Sequence, residues 1–213
     1  MKSASGIFFY LTNYQIWGAI LVILTLIRAD NYTEKHKYIP IEQNLLQNGD
    51  LIFRRGRSVE SHAVLITDSK SRFSHVGIIC IENDTPFVIH AVPGENKSGP
   101  DYIRKEKVPE FLAPENASEF SIYRSRFSKE VNTKAAQIAN RFYYKKVLFD
   151  KSFDLTTTDQ IYCTELVLIA FQAASNHALN LNTTQLNVLF GKLEILLPGN
   201  IIEDSHFQPI IHY

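Results

Sequence analysis

The sequence predicts an α+β fold in one globular domain preceded by a single hydrophobic segment, and three observations carry that prediction. Strand-like runs come early and the most apolar helix comes late, from Leu166 to Ala174, rather than strands and helices alternating as in a parallel α/β chain. The 213 residues, 45% hydrophobic and 21% charged, are enough to bury a core without disulfide or metal staples. The front of the chain is different: after Lys2 no charged residue occurs before Arg28.

The elements follow in order. Ile16 to Ile27 is an apolar core inside that uncharged stretch, shorter than the roughly 20 residues of a full membrane span and also suited to the apolar region of a secretory signal. Residues 1–29 are therefore expected to be a hydrophobic N-terminal helix acting as signal-anchor, with a cleaved signal peptide or a buried helix as alternatives. Its orientation is open, because Lys2 lies before it and Arg28, Lys35 and Lys37 after it. Residues 30–45 are polar and read as a linker, and residues 46–213 as the domain. Gly49-Asp50-Leu51-Ile52-Phe53 is a turn feeding a strand, and Ser74 to Ile81 is a β-branched run typical of a buried strand. Glu82 to Pro86 has turn chemistry and Phe87 to Val92 is a second strand, so the pair should form a hairpin. Glu119 to Arg124 is a further strand. Ser128 to Tyr144 carries Val131, Ala135, Ile138, Ala139 and Phe142 at helical spacing, with Ser128 placed to cap. Leu155 to Asp159 is a loop ahead of Tyr162-Cys163-Thr164-Glu165, and Leu166 to Ala174 lacks a strong polar face, as a buried helix does. Arg54 to Arg72 and Gly94 to Lys107 read as loops bordering a cleft.

Charge and cysteine usage limit the function classes. The 22 basic residues cancel the 22 acidic ones, which excludes a field that favours nucleic acid. Two cysteines, Cys80 and Cys163, are too few for a disulfide scaffold. Cys80 sits within a strand and most simply packs. Cys163 sits where a helix begins, where unpaired N–H groups and the helix dipole favour a thiolate; the bland alternative is a small buried side chain. A nucleophilic thiol needs an imidazole to take its proton and return it to the leaving group, and His75 opens a strand face otherwise made of Gly77, Ile79 and Ile81. His90 supplies a geometric test. If the hairpin loop has an even number of residues, Gly77 faces His90, and His75 lies one diagonal step away on the same face. An odd loop sends them to opposite faces unless a bulge intervenes.

In this order, Gly49-Asp50-Leu51-Ile52-Phe53, Ser74-His75-Val76-Gly77-Ile78, Phe87-Val88-Ile89-His90-Ala91 and Tyr162-Cys163-Thr164-Glu165-Leu166-Val167 resemble the permuted papain-like cysteine amidases of the YiiX/YaeF group, within the NlpC-like superfamily. The resemblance runs from about Leu46 to Phe207. It implies a permuted papain-like domain with an antiparallel sheet and a buried helix carrying the cysteine. It further implies Cys163 as nucleophile, His75 as base and His90 in the place of a third polar residue that is often glutamate. A neutral imidazole there brings no full negative charge, so a weaker thiolate–imidazolium pair is expected. Tyr162 matches the aromatic before the nucleophile and borders the cleft or packs. Asp50 matches a family motif, though an aspartate after glycine at a strand entry ordinarily bonds local backbone. The implied activity is a hydrolase working through a Cys163 thioester on peptide, peptidoglycan-derived or N-acyl amide bonds, with no metal and no cofactor. Three alternatives stand beside it: a membrane-proximal lipid acyltransferase or phospholipase of the same permuted fold, a non-catalytic binding module, and a zinc site on Cys163, His75 and His90. The expected partners are a small peptide or acyl-amide substrate and, through the N-terminal helix, a membrane. The expected location is the cell envelope.

Overall fold

A computed structural model describes residues 41–93, 100–157, 159–188 and 191–213. The N-terminal segment expected to anchor or export the chain lies outside the described residues, as does most of the linker, and no helix among the described residues is long and apolar enough to cross a membrane.

The strands, in chain order, are β1 (Leu51–Gly56), β2 (His75–Glu82), β3 (Thr85–His90), β4 (Arg104–Lys107), β5 (Ala117–Ser125), β6 (Leu148–Phe149), β7 (Gln160–Ile161), β8 (Thr184–Val188), β9 (Gly191–Ile195) and β10 (Phe207–His212). The helices are α1 (Val59–Thr67), α2 (Val108–Phe111), α3 (Lys129–Tyr144), α4 (Cys163–Ala174) and α5 (Pro198–Ile202). Six strands form one sheet in the order β10-β5-β1-β2-β3-β4, every neighbouring pair antiparallel. The mixed architecture agrees with the α+β prediction and its antiparallel sheet with the one the resemblance implies, although helices stand between the strands and three strands follow the cysteine helix.

Strand alternation gives the sheet two apolar faces. Leu51, Phe53, Val76, Ile78 and Ile89 pack with α3 and α4 through Ala135, Ala139, Leu166, Val167, Ala170 and Phe171. Ile52, Ile79, Val88, Phe120 and Ile122 cover the opposite face with Val108, Phe111 and Leu112 from α2 and its end. Cys80 is buried in the first of these cores. Ser128 caps α3 by accepting the Val131 N–H at 3.3 Å.

The β2–β3 loop is the two-residue turn Asn83-Asp84, both residues in the left-handed region at φ 48° and 59°. A two-residue turn with both φ positive matches the twist of an antiparallel pair, and asparagine and aspartate tolerate it. Its even count sets the register: Ile78 pairs with Ile89, so Gly77 falls against His90. Glycine is needed there, since a Cβ at position 77 would meet Val88 Cγ1 at 2.3 Å and His90 Cβ at 3.2 Å.

Two segments read as loops are ordered elements. Arg54 to Arg72 contains the end of β1 and all of α1, and Arg104 to Lys107 is the edge strand β4. Helix α1 buries none of its residues and leaves Val59 and Ile66 exposed, so it lacks the apolar stripe that would mark it. Strand β4 is charged at every position, a composition that suits a sheet edge and disguises a strand.

Candidate active site

Strands β2 and β3 bring two imidazoles together. His75 opens β2 and His90 closes β3, and their rings meet edge to face with His75 Nε2 and His90 Nδ1 2.8 Å apart. His90 is fully buried and His75 nearly so. Phe111 lies against both, with ring centroids 5.8 Å from His75 and 5.0 Å from His90. Because Nε2 of His75 is engaged by His90, Nδ1 is the nitrogen left to exchange a proton with another group.

Cys163 is the first residue of α4, and its half-buried side chain packs against the core on the helix-covered face. His75 and Cys163 border one cavity of about 620 Å³. Its apolar wall includes Val64, Val92, Phe149, Phe153, Leu193 and Leu197, and Arg54 also reaches it. Among the described residues no hydrogen bond joins Cys163 to His75.

The electrostatics describe a neutral resting pair. Burial pushes the Cys163 thiol up to about 11, against the opposing pull of the N–H groups of Val76, Thr164 and Cys163 itself and of the Arg54 charge. Burial also holds both imidazoles well below the usual histidine value, and Arg54 adds to the effect on each. This corrects the expectation of an acidified thiol at a helix start: the N-terminal donors are present, but removal from water outweighs them.

Arg54 is a site residue that sequence reasoning placed only within a cleft-bordering loop. It pairs with His75 across β1 and β2, is itself buried, donates from Nη1 to the Phe111 carbonyl at 2.9 Å and lies 4.4 Å above the Phe111 ring. Glu106 on β4 was missed altogether, with its Oε2 3.3 Å from His90 Nε2 and its Oε1 3.1 Å from Arg104 Nε. The signal lay in the two-residue spacing of Arg104 and Glu106, which puts both on one strand face, legible only once the segment is known to pair with β3.

Two residues expected near the cleft stand elsewhere. Asp50 is buried and accepts from Arg124 Nε and Nη2 and from the Gln47 N–H, each at 2.8 Å, which ties β1 to β5. Tyr162 is buried behind the cysteine, where its hydroxyl accepts the Leu196 N–H at 3.0 Å and its ring meets Phe153 edge-on. Neither lines the cavity. Tyr162 also donates its backbone N–H to Glu165 at 3.2 Å, closing the first turn of α4. Burial pushes the Glu165 carboxyl up to about 7.

The zinc alternative does not fit. Among the described residues no group of three or more His, Cys, Asp or Glu is arranged to hold a metal ion, and His75 and His90 turn nitrogens toward each other at hydrogen-bond distance, too close to ligate an ion between them.

Comparison with known proteins decides the family. Residues 45–209 match the model of the permuted papain-like amidase enzymes, YaeF/YiiX, C92 family. The chain belongs to this family. The match coincides closely with the Leu46 to Phe207 range of the sequence resemblance. The uncharacterized protein YiiX of Escherichia coli strain K12 is 31% identical over 130 residues, 60% of this chain and 58% of that protein's length. The crystal structure titled metalloprotein yiiX, from Escherichia coli O157:H7, superposes with a TM-score of 0.64 at 20% identity, covering 78% of this chain and 97% of that one, and shares the fold. As a C92-family chain, this protein carries the scaffold of cysteine hydrolases in general.

Proposed function

We propose that this C92-family protein is a cysteine amidase or peptidase that works through a thioester on Cys163. The observation that carries the reading is the cavity shared by Cys163 and His75, with His90 hydrogen-bonded behind His75. In the acylation step His75 takes the thiol proton as Sγ attacks the amide carbonyl carbon. The tetrahedral oxyanion is stabilised by the Cys163 backbone N–H at the helix start. Collapse of the adduct breaks the C–N bond, and His75 gives its proton to the departing amine. Water, deprotonated by the same imidazole, then hydrolyses the thioester to a carboxylic acid and free thiol. His90 orients His75 throughout.

A neutral resting pair fits this general-base route, since the proton moves with the attack and no preformed thiolate is required. The apolar wall of the cavity supports an acyl group or side chain of apolar character next to the scissile bond, and a peptide, muropeptide or N-acyl amide supplies one. The same wall favours, as a second reading, transfer of a lipid acyl chain from Cys163 to an acceptor other than water. The uncharged stretch from Ser3 to Ile27 supports work at the cell envelope, and the family resemblance of the domain behind it favours the outer side of a membrane.

The test is to trap the acyl-enzyme from a cell-wall digest or lipid extract and weigh the adduct. A single acyl mass on Cys163, absent from Cys163→Ala and strongly reduced in His75→Ala, is expected, and its mass distinguishes peptide from lipid acyl groups. Turnover that survives Cys163→Ala would overturn the proposal.

A further inference from the structure

We infer that Glu106 is a positioning residue that sets the tautomer of both histidines and so leaves His75 with its basic nitrogen toward the thiol. This rests on the proposed roles of Cys163 and His75 and extends them by a residue on a neighbouring strand. The inference begins with a shortage: His90 stands where a carboxylate is common in the resembled group, and an imidazole alone does not decide which of its two nitrogens carries the proton. If His90 carried it on Nδ1, that N–H would point at His75 Nε2, which would then have to accept. The His75 proton would sit on Nδ1 and no basic nitrogen would remain for the thiol.

The structure resolves the choice by geometry. Glu106 follows Arg104 by two residues on β4, and Arg104 is the direct partner of His90, so Glu106 lies on the same face one diagonal step away. Its Oε2 approaches His90 Nε2 to 3.3 Å, an ion-pair distance at which Nε2 makes no hydrogen bond, so this buried nitrogen faces the carboxylate without another partner among the described residues, and both side chains are largely withdrawn from water. A carboxylate accepts and never donates in its ionised form, so it favours the proton on His90 Nε2. His90 Nδ1 then accepts from His75 Nε2–H across 2.8 Å, and His75 Nδ1 carries the lone pair. The order is carboxylate, imidazole, imidazole, with the negative charge one strand further out than in a three-residue arrangement, and the free His75 nitrogen is the one available to the thiol across the cavity they share.

The charges that face this chain come from every neighbouring element. Arg54 on β1 and Arg104 on β4 oppose an imidazolium, Glu106 on β4 favours it, and Phe111 from α2 shields the pair from water. Glu106 therefore matters most when His75 becomes cationic during attack, because Arg54 otherwise raises the energy of that state.

The experiment uses the full chain with Glu106→Gln and Glu106→Ala. Imidazole nitrogen shifts in ¹⁵N NMR read the tautomers, and iodoacetamide alkylation of Cys163 at pH 7 reads nucleophilicity. The expected wild-type pattern is a proton on Nε2 of both His75 and His90. Glu106→Gln keeps an acceptor but loses the charge, so it keeps the tautomers and slows alkylation about tenfold, the effect of about one pKa unit. Glu106→Ala removes the acceptor, and the protons of His90 and His75 move to Nδ1, with a larger loss of alkylation. A folded Glu106→Ala protein that retains both Nε2 protons overturns the inference, and so does Glu106→Gln with wild-type alkylation. If Glu106→Ala does not fold, the Glu106→Gln rate decides alone. His75→Ala separates the two levels: if it leaves alkylation unchanged, the proposed role of His75 fails, whereas loss in His75→Ala without loss in either Glu106 variant removes only Glu106.

Discussion

Glu165 offers the sharpest pH test of the packing around the cysteine helix. Its carboxyl is almost wholly buried in the first turn of α4, and burial is the main reason it is pushed from 4.5 up to about 7, with Asp150 and Asp154 adding negative charge nearby. A folded-state value above the unfolded one means the folded chain holds the extra proton between pH 4.5 and about 7. The stability contributed by that neutral carboxyl is complete below pH 4.5 and is lost as pH rises through 7. The shift from 4.5 to about 7 corresponds to an upper bound of about 3.5 kcal/mol at about 1.4 kcal/mol per unit. Glu165→Gln is isosteric, carries no ionisable proton and can still accept the Tyr162 N–H. Wild type and variant should therefore have similar stability at pH 4, and the variant should be more stable by up to about 3.5 kcal/mol at pH 8. Urea unfolding of both proteins from pH 4 to pH 8 measures the difference curve, from which every group common to both cancels. A flat difference across that range would refute the reasoning, because it would mean that the buried carboxyl costs nothing to ionise.

Two further outcomes follow from the site. The rings of His75 and His90 should remain neutral well below pH 6.5 in the folded protein, so NMR titration should find both midpoints displaced to acid, and a midpoint near 6.5 for either would contradict their burial; the linked stability is present above pH 6.5 and falls as pH drops below it, where unfolded histidines take up protons and the folded ones do not. Gly77→Ala places a methyl against Val88 Cγ1 and His90 Cβ, so it should cost about 1–3 kcal/mol in thermal or urea unfolding and spread the two histidines; a variant of unchanged stability would show that the β2–β3 contact is looser than 2.3 Å implies.

The parts of this site that were legible in the sequence are those set by local chemistry. Asn83-Asp84 forms a two-residue turn between two apolar runs, and once its length is even the period of a strand places Gly77 against His90 with no further information. The cysteine at the start of an apolar helix was visible for the same reason, since capping and periodicity act over a few residues. The parts that escaped depend on pairing over long distances or on burial. Arg54 meets His75 only because β1 lies beside β2, and Glu106 meets His90 only because a fully charged segment closes the sheet edge. Asp50 was read as a turn residue bonding local backbone, and it does accept from Gln47, but its bidentate partner Arg124 is 74 residues away and could not be named from the motif.

The thiol shows how a correct local argument can be outweighed. Donors at the start of α4 do favour a thiolate, and the dipole of a helix contributes at most about 2 kcal/mol in partly buried settings. Withdrawal of the thiol from water works in the opposite direction and wins, leaving the Cys163 thiol pushed up to about 11 on the same cavity as an imidazole that burial and Arg54 also keep neutral. Both groups therefore resist charge separation at rest, and in the proposed reaction the reactivity of Cys163 would depend on the occupancy that brings a carbonyl to it. A cysteine kept neutral in this way is expected to react with small electrophiles at neutral pH more slowly than an acidified thiol, because those attack the thiolate, and the alkylation rate measures it. In the proposed reaction the apolar wall around the thiol is also the surface that an acyl group would cover, so that burial and substrate recognition would arise from the same side chains.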